Sequence, residues 1–316
     1  MQILIIGAGA MGSLFATLLV QGGQEVALYD MDQQKVDAIN QKGITVTSPE
    51  KEGVRTVVSA VSTIEEALPA ELVIFMVKSY QTDRAVREAS VLFNKNTKVL
   101  TLQNGLGNIE KIAKLIDSKQ VYVGVTYYSA KELEAAKIAH TGMGMTLIAP
   151  MEKDQLPAAM DLARMLNNCG IEAGATNDLD AIIWKKLIVN SVINPLTAIH
   201  GLNNGELVNN PEVVRDMADL VIEGVAVAQK MGIPLNYGEI WASVLETCRL
   251  TAQNRSSMLT DVEGGRHTEI DAINGSIVRL GEANGVDTPV NTRMMRGVLA
   301  LDKGRASNQN LFAPKI

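Results

Sequence analysis

The chain has 316 residues, 47% of them hydrophobic and 20% charged, a composition that excludes a disordered protein and leaves room for two domains. A net charge of −6 argues against a nucleic-acid surface, which needs clustered Lys and Arg, but allows a local basic pocket for an anionic substrate. The two cysteines (Cys169, Cys248) and three histidines (His140, His200, His267) have no pairing or ligand spacing, so they point to neither a disulfide framework nor a metal site.

The first residues, MQILIIG, lack the charged, apolar and small-residue regions of a secretion signal, and no apolar run is long enough to span a bilayer. The expectation is a cytoplasmic protein with no membrane partner. Residues 2–6 read as a buried parallel strand ended by Gly7. A helix is expected over 13–21 from the spacing of Leu14, Leu18 and Leu19, and a second strand over 25–29 after Gly22-Gly23. Strand, turn, helix and strand within about 30 residues make one βαβ unit.

Further along, 43–47 and 54–59 are expected to pair, and Leu72–Val77, Val99–Leu102 and Val121–Val125 to be strands, with a helix over 107–117. Residues 138–149 predict a hairpin turning near Gly142 and Gly144. The polar stretch 150–157 is followed by a helix over 157–168 and a short strand near 171–175. From about 178 the strand pattern stops, and 179–200, 211–231, 237–262, 266–284 and 289–302 all read as helices. The expected organisation is a doubly wound α/β domain over 1–176 and an all-helical domain over 177–316.

Gly7-Ala8-Gly9-Ala10-Met11-Gly12 fits G-x-G-x-x-G between a strand and a helix, the context that a dinucleotide pyrophosphate requires. Gly7 permits the tight turn, Gly9 a close approach of the backbone, and Gly12 close helix–strand packing, while the helix N-terminus offers free N–H groups. Asp30, at the end of the second strand, either accepts from a ribose hydroxyl or, like Asp32, caps the next helix. Lys78 and Asn104-Gly105 follow two further strands and reach the same rim as Gly9, where ligands of open α/β sheets sit. Lys78 is otherwise a surface lysine starting a loop.

In the helical half, Lys186, Asn190, Asn194 and Thr197 follow one another at spacings of 4, 4 and 3, which sets four polar side chains on one face of a mainly apolar helix. Such groups need partners or a cleft, unless the stripe is simply a solvated face. Lys186 shares the Asn face, whereas Lys185 is rotated about 100° away. A desolvated Lys186 would lose basicity and suit general-acid chemistry. Pro195 is expected to bend or end the helix, and Gly264-Gly265 to break a later one. On sequence grounds alone Glu269 is an ordinary exposed carboxylate, and His267 has a structural role.

Taken together, the glycine turn, Lys78, Asn104-Gly105, W-K-K-L-x-x-N-x-x-I-N-P-L-T-A from Trp184, N-G-E-L at 204–207, S-S-M-L-x-D from Ser256 and R-H-T-E-I-D-x-I-N-G from Arg266 resemble the ketopantoate reductase family over essentially the whole chain. The resemblance implies an N-terminal Rossmann domain, a helical C-terminal domain and catalysis in the cleft between them. It implies Lys186 as general acid, with Glu269 orienting the substrate or Lys186. Lys78 and Asn104 would border the cofactor, and Asn104, Asn190, Asn194, Asn254, Ser257 and Glu269 the small 2-keto acid substrate. The implied reaction is reduction of 2-dehydropantoate to (R)-pantoate, and a homodimer is compatible with the helical domain.

The family generally prefers NADPH and often carries an Arg after the second strand. Here that stretch is Asp30-Met31-Asp32, with Lys35 the nearest cation, which points to NADH. NADH-linked relatives reduce other branched or aromatic 2-keto acids to D-2-hydroxy acids, and that is the alternative activity on the same scaffold. A redox-sensing protein that holds the dinucleotide without turnover would not need the Lys186 stripe.

Overall fold

The computed structural model describes residues 1–48, 51–67 and 69–309, with side chains at 1–48, 53–67 and 69–302. Proximity of Cα atoms divides the chain into two units, Met1–Gln103 with Gly107–Leu179, and Asn104–Leu106 with the chain from Asp180 onward.

In the first unit the expected βαβ beginning is present as β1 (Gln2–Ile6), α1 (Ala10–Gln21) and β2 (Glu25–Tyr29). It continues through α2 (Gln33–Lys42), β3 (Ile44–Ser48), β4 (Lys51–Thr56), β5 (Ser59–Val61), β6 (Leu72–Phe75), α3 (Thr82–Ala89), β7 (Lys98–Thr101), α4 (Asn108–Ile112) and β8 (Val121–Thr126). It ends with β9 (Ser129–Glu134), β10 (Lys137–Gly142), β11 (Thr146–Pro150), α5 (Leu156–Asn168) and β12 (Ala173–Ala175). The main sheet runs β12-β11-β8-β7-β6-β1-β2-β5 and is parallel from β5 to β8, with β11 antiparallel to β8. Strand order reverses at β1, the switch point where such sheets bind ligands outside the strand C-termini.

Alternation along β1 explains its central place. Ile3 and Ile5 pack with Leu14, Phe15 and Leu19 of α1 and Leu166 of α5. Leu4 and Ile6 pack on the other face with Val86 of α3 and Ile112 of α4. Each fully buried side chain of this size contributes about 1.5–3 kcal/mol, so a strand with four of them belongs where both faces are covered.

Three expectations in this unit needed correction. β6 stops at Phe75, so Lys78 lies beyond a short connection rather than directly on the strand end, and the helix expected over 107–117 is confined to α4. The hairpin expected over 138–149 does not form. β10 pairs with β9 in the smaller sheet β4-β3-β10-β9, while β11 joins β8 in the main sheet. The real hairpin turns at Ala136, a non-glycine residue at φ 64°, which carries no turn signal. Gly142 and Gly144 serve close approach instead: a Cβ would lie 2.6 Å from Ser129 Oγ at the first and 2.7 Å from Tyr127 Cβ at the second.

Among the described residues, the regular elements of the second unit are all helical: α6 (Leu179–His200), a 3-10 turn (Asn204–Asn209), α7 (Pro211–Lys230), α8 (Tyr237–Leu250), α9 (Ser257–Glu263), α10 (Asn274–Asn284) and α11 (Pro289–Gln309). Its core joins Ile188 and Val192 of α6 to Leu220 of α7, Val244 of α8, Ile277 of α10 and Val298 of α11. The helix expected over 237–262 is split into α8 and α9, because Ser256 caps a new helix by accepting from Leu259 N–H (3.0 Å). The segment 266–273 is turns, so the helix expected over 266–284 begins only at Asn274. Gly265, at φ 67°, sits at the expected break.

Pro195 does not end α6, which continues to His200. A proline deprives the carbonyl four residues earlier of its helical donor. Here the Ser191 carbonyl accepts from the buried Asn274 amide instead (2.8 Å). Among the described residues no helix is long and apolar enough to cross a membrane.

Candidate functional site

In the first unit the glycine turn has the stereochemistry its sequence implied. Gly7 adopts φ 108°, and a Cβ on Gly12 would lie 1.9 Å from the Gly7 carbonyl oxygen, so only glycine lets α1 start directly on the turn. A Cβ on Gly9 would meet nothing within 4 Å, which marks the open side of the turn. Gly9 is the N-cap of α1 and no side chain caps the helix. Its first N–H groups and the positive end of its dipole are therefore available to an anion. These residues fit a dinucleotide pyrophosphate.

Asp30 does more than end β2. Its Oδ2 accepts from Ala8 N–H (2.8 Å) and its Oδ1 from Asp32 N–H (3.1 Å), which ties the acidic residue to the glycine turn. Asp32, and not Asp30, caps α2 by accepting from Gln34 and Lys35 N–H. Lys35 is engaged by Glu132 at 3.0 Å. A carboxylate has about four acceptor sites, so Asp30 keeps capacity for a ribose hydroxyl.

Beside Asp30 opens a small cleft lined by Gly7, Tyr29, Asp30, Val77, Arg84 and Glu88 among others. Tyr29 Oη donates to Glu88 Oε2 (2.8 Å) and Arg84 Nε donates to Glu88 Oε1 (2.7 Å). Burial and then the Glu88 carboxylate push the Tyr29 hydroxyl up to about 12. Burial resists ionisation of Glu88, but the two hydrogen bonds outweigh it and hold its carboxyl below the ordinary range. Lys78, half-buried, begins a 3-10 turn in which Gln81 Oε1 accepts its N–H at 3.3 Å. Gln103 donates to Val77 O and Thr82 Oγ1, both at 2.8 Å, and so secures the Lys78 connection beside the end of β7.

In the second unit the polar stripe of α6 is no solvated face. Asn194 is 6% exposed, Thr197 is fully buried, and Lys186 and Asn190 are half-buried, whereas Lys185 is exposed. Desolvation pulls the Lys186 ammonium down to about 8, and the negative charge of Glu269 opposes the fall. Glu269 is 7% exposed, which corrects the expectation of an ordinary surface carboxylate. Its burial follows from the turns of 266–273, where Glu269 O accepts from Ala272 N–H (3.0 Å), in place of an exposed helix face. His267 contacts Asp302 (3.2 Å).

Asn104 belongs to this unit through the residues that follow it. Leu106 N–H donates to Ala272 O (2.9 Å), and a Cβ on Gly105, which adopts φ 81°, would lie 2.5 Å from that same oxygen. Asn104 is thus carried toward the turn that holds Glu269. The segment bearing Asn254 is held on two sides. Thr197 donates to Ser256 Oγ (2.6 Å), Asn204 N–H to Asn254 O (3.0 Å), and the Asn204 amide to Thr251 Oγ1 (2.8 Å). Ser257 is exposed on the first turn of α9. Sequence reasoning missed Ser256, whose capping pattern was legible, and the triad of Tyr29, Arg84 and Glu88, whose i,i+4 pair looks like any surface ion pair.

Comparison with known proteins fits both units. The family model described as Ketopantoate reductase PanE/ApbA matches residues 3–153, and its C-terminal counterpart matches residues 178–302. A 2-dehydropantoate 2-reductase of Archaeoglobus fulgidus is 34% identical over 306 residues, 96% of this chain and 98% of that protein. One of Vibrio cholerae is 32% identical over 304 residues, again 96% of this chain and 98% of that protein. Among solved structures, D-mandelate dehydrogenase with NADH and anilino(oxo)acetate has a TM-score of 0.93 at 30% identity, covering 97% of this chain and 100% of that one. A ketopantoate reductase from Ralstonia eutropha has a TM-score of 0.88 at 29% identity, with the same coverage of 97% and 100%. With both family models matched and relatives above 30% identity over nearly its full length, the chain belongs to the ketopantoate reductase family of NAD(P)-dependent oxidoreductases acting on a CH–OH group.

Proposed function

We propose that this chain reduces the ketone of 2-dehydropantoate to give (R)-pantoate, a step of pantothenate biosynthesis, as a cytoplasmic enzyme. The observation that carries the chemistry is a partly desolvated Lys186 on α6, opposed by the buried carboxylate of Glu269. The substrate follows from the relatives named 2-dehydropantoate 2-reductase, which are similar to the chain over nearly its full length. When bound, the reduced nicotinamide supplies a hydride to the keto carbon.

Lys186 Nζ then gives one proton to the carbonyl oxygen, which becomes the new hydroxyl, and regains a proton from solvent. Hydride and proton together complete the two-electron reduction. Glu269 keeps Lys186 protonated near neutrality and orients it. Asn190, Asn194, Asn254 and Ser257 contact the hydroxyl and carboxylate ends of the substrate, with Asn104 at the border of substrate and cofactor. Gly7 to Gly12 hold the pyrophosphate, and Lys78 lies along the cofactor. Residues 1–176 serve as the dinucleotide-binding domain and 177–316 as the catalytic one.

A second reading has its own support. The stretch after β2 offers the carboxylate of Asp30, which would repel a 2′-phosphate, Lys35 is occupied by Glu132, and a similar solved structure is a D-mandelate dehydrogenase with NADH. On that reading the chain is an NADH-dependent D-2-hydroxyacid dehydrogenase for branched or aromatic 2-keto acids. The two are separated by kcat/KM for 2-dehydropantoate and 2-ketoisocaproate, each with NADH and with NADPH. The first reading expects 2-dehydropantoate to lead with its better cofactor; a clear lead for 2-ketoisocaproate overturns it.

A further inference from the structure

The cleft beside Asp30 contains more charge than the dinucleotide fingerprint requires. Three ionisable side chains besides Asp30 line it: Tyr29 from the end of β2, and Arg84 and Glu88 one turn apart on α3. Glu88 uses both carboxylate oxygens, one for Tyr29 Oη and one for Arg84 Nε. Tyr29 is 5% exposed, so the carboxylate is fixed from below by a buried hydroxyl, whereas the Arg84 side chain is 60% exposed. With Asp30 and Glu88 negative and Arg84 positive, the cleft has a surplus of one negative charge.

We propose that Glu88 is a specificity-determining residue for the cofactor: by engaging Arg84, it denies that guanidinium to a 2′-phosphate and adds a second carboxylate to that of Asp30. The proposal rests on the reading that the cleft takes the adenosine end of the dinucleotide. Arg84 has five N–H donors in a planar fork suited to phosphate, and Nε is one of them. A carboxylate already pairing with that fork competes directly with a phosphate for it. Asp30 alone leaves the preference open, because its oxygens are partly committed to Ala8 and Asp32. Asp30 and Glu88 together oppose a dianionic phosphate, and Arg84 is a phosphate ligand held in reserve.

The test is calorimetric binding of the half-cofactors 5′-AMP and 2′,5′-ADP to the full chain, which needs no turnover. Glu88→Gln keeps the size of the side chain, removes its charge and frees Arg84. It is expected to shift the affinity ratio toward 2′,5′-ADP by about fivefold, the upper end for one partly exposed charge pair. Arg84→Gln, at an exposed position where folding is not at stake, is expected to change the ratio far less, because Glu88 already holds that guanidinium, and the double variant to lose the gain of Glu88→Gln. A ratio unmoved by Glu88→Gln in folded protein, or a gain that survives in the double variant, overturns the proposal. Wild-type protein that binds 2′,5′-ADP more tightly than 5′-AMP would sink the NADH preference assigned to Asp30. The shifts on substitution would still decide the role of Glu88.

Discussion

The catalytic assignment predicts a specific pH dependence. A general acid works only while protonated, and desolvation brings the Lys186 ammonium to about 8 from the ordinary 10.5 of lysine. Its protonated fraction is then roughly nine-tenths at pH 7, half at pH 8 and about one-tenth at pH 9. The rate of the chemical step should therefore fall about tenfold per pH unit above pH 8, in a range where an ordinary lysine stays charged. Glu269 raises the basicity of Lys186, so Glu269→Gln removes the opposing effect and moves the falling limb to lower pH. The variant should be slow at pH 7 and recover as the pH is lowered.

The assay is single-turnover oxidation of NADH by saturating 2-keto acid, with a 4-deuterated cofactor to verify that hydride transfer is observed. Lys186→Ala should cost about 10²–10⁴ in rate and abolish the limb. A limb above pH 10 in the wild type refutes the reasoning. So does the same limb in Glu269→Gln, or a limb that survives Lys186→Ala.

Two further substitutions test the scaffold in each unit. Gly12→Ala would set a methyl group 1.9 Å from the Gly7 carbonyl, where backbone and not a flexible side chain must yield. Overpacking of this kind costs about 1–3 kcal/mol, so Tm and NADH affinity should both fall, and an unchanged NADH titration would contradict the turn's geometry. Glu223, 8% exposed on α7, accepts from Val290 N–H (2.7 Å), Asn291 N–H (2.9 Å) and Asn291 Nδ2 (2.8 Å) at the start of α11. Glu223→Ala orphans three donors at about 1–3 kcal/mol for each that water cannot reach, which a lowered urea midpoint would report and Glu223→Gln would partly restore.

The parts of the molecule that were legible in sequence are those whose reasons are local. β1 declares itself because both faces are apolar, and the glycine turn because each glycine answers one steric demand within a few residues. The stripe from Lys186 to Thr197 shows because helical periodicity puts its members on one face. What stayed hidden depends on distant chain. Nothing near Glu269 tells that it is buried, nor that its charge bears on Lys186 of α6. The cap at Ser256 that starts α9 is local, but the contacts that hold the split at 251–256, Thr197 of α6 to Ser256 and Asn204 to Asn254, are not. The β9–β10 hairpin was missed because its turn uses Ala136, while the glycines that look like a turn make room for Ser129 and Tyr127.

Asp30 shows how a residue legible by motif can hold a second task that the motif does not reveal. The motif assigns it to the ribose, yet its Oδ2 is bonded to Ala8 N–H, inside the glycine turn. The end of β2 and the turn are therefore one piece, and an acid at this position first fastens the glycine turn proposed to hold the pyrophosphate. Any dinucleotide benefits from that closure, with or without a 2′-phosphate. Discrimination has to come from what the carboxylate has left over, together with the charges that share its cleft. Lys35 is taken by Glu132, and Arg84 by Glu88. If Glu88 acts as proposed, cofactor choice in this chain depends on how these cations are paired as much as on the acid at the end of β2.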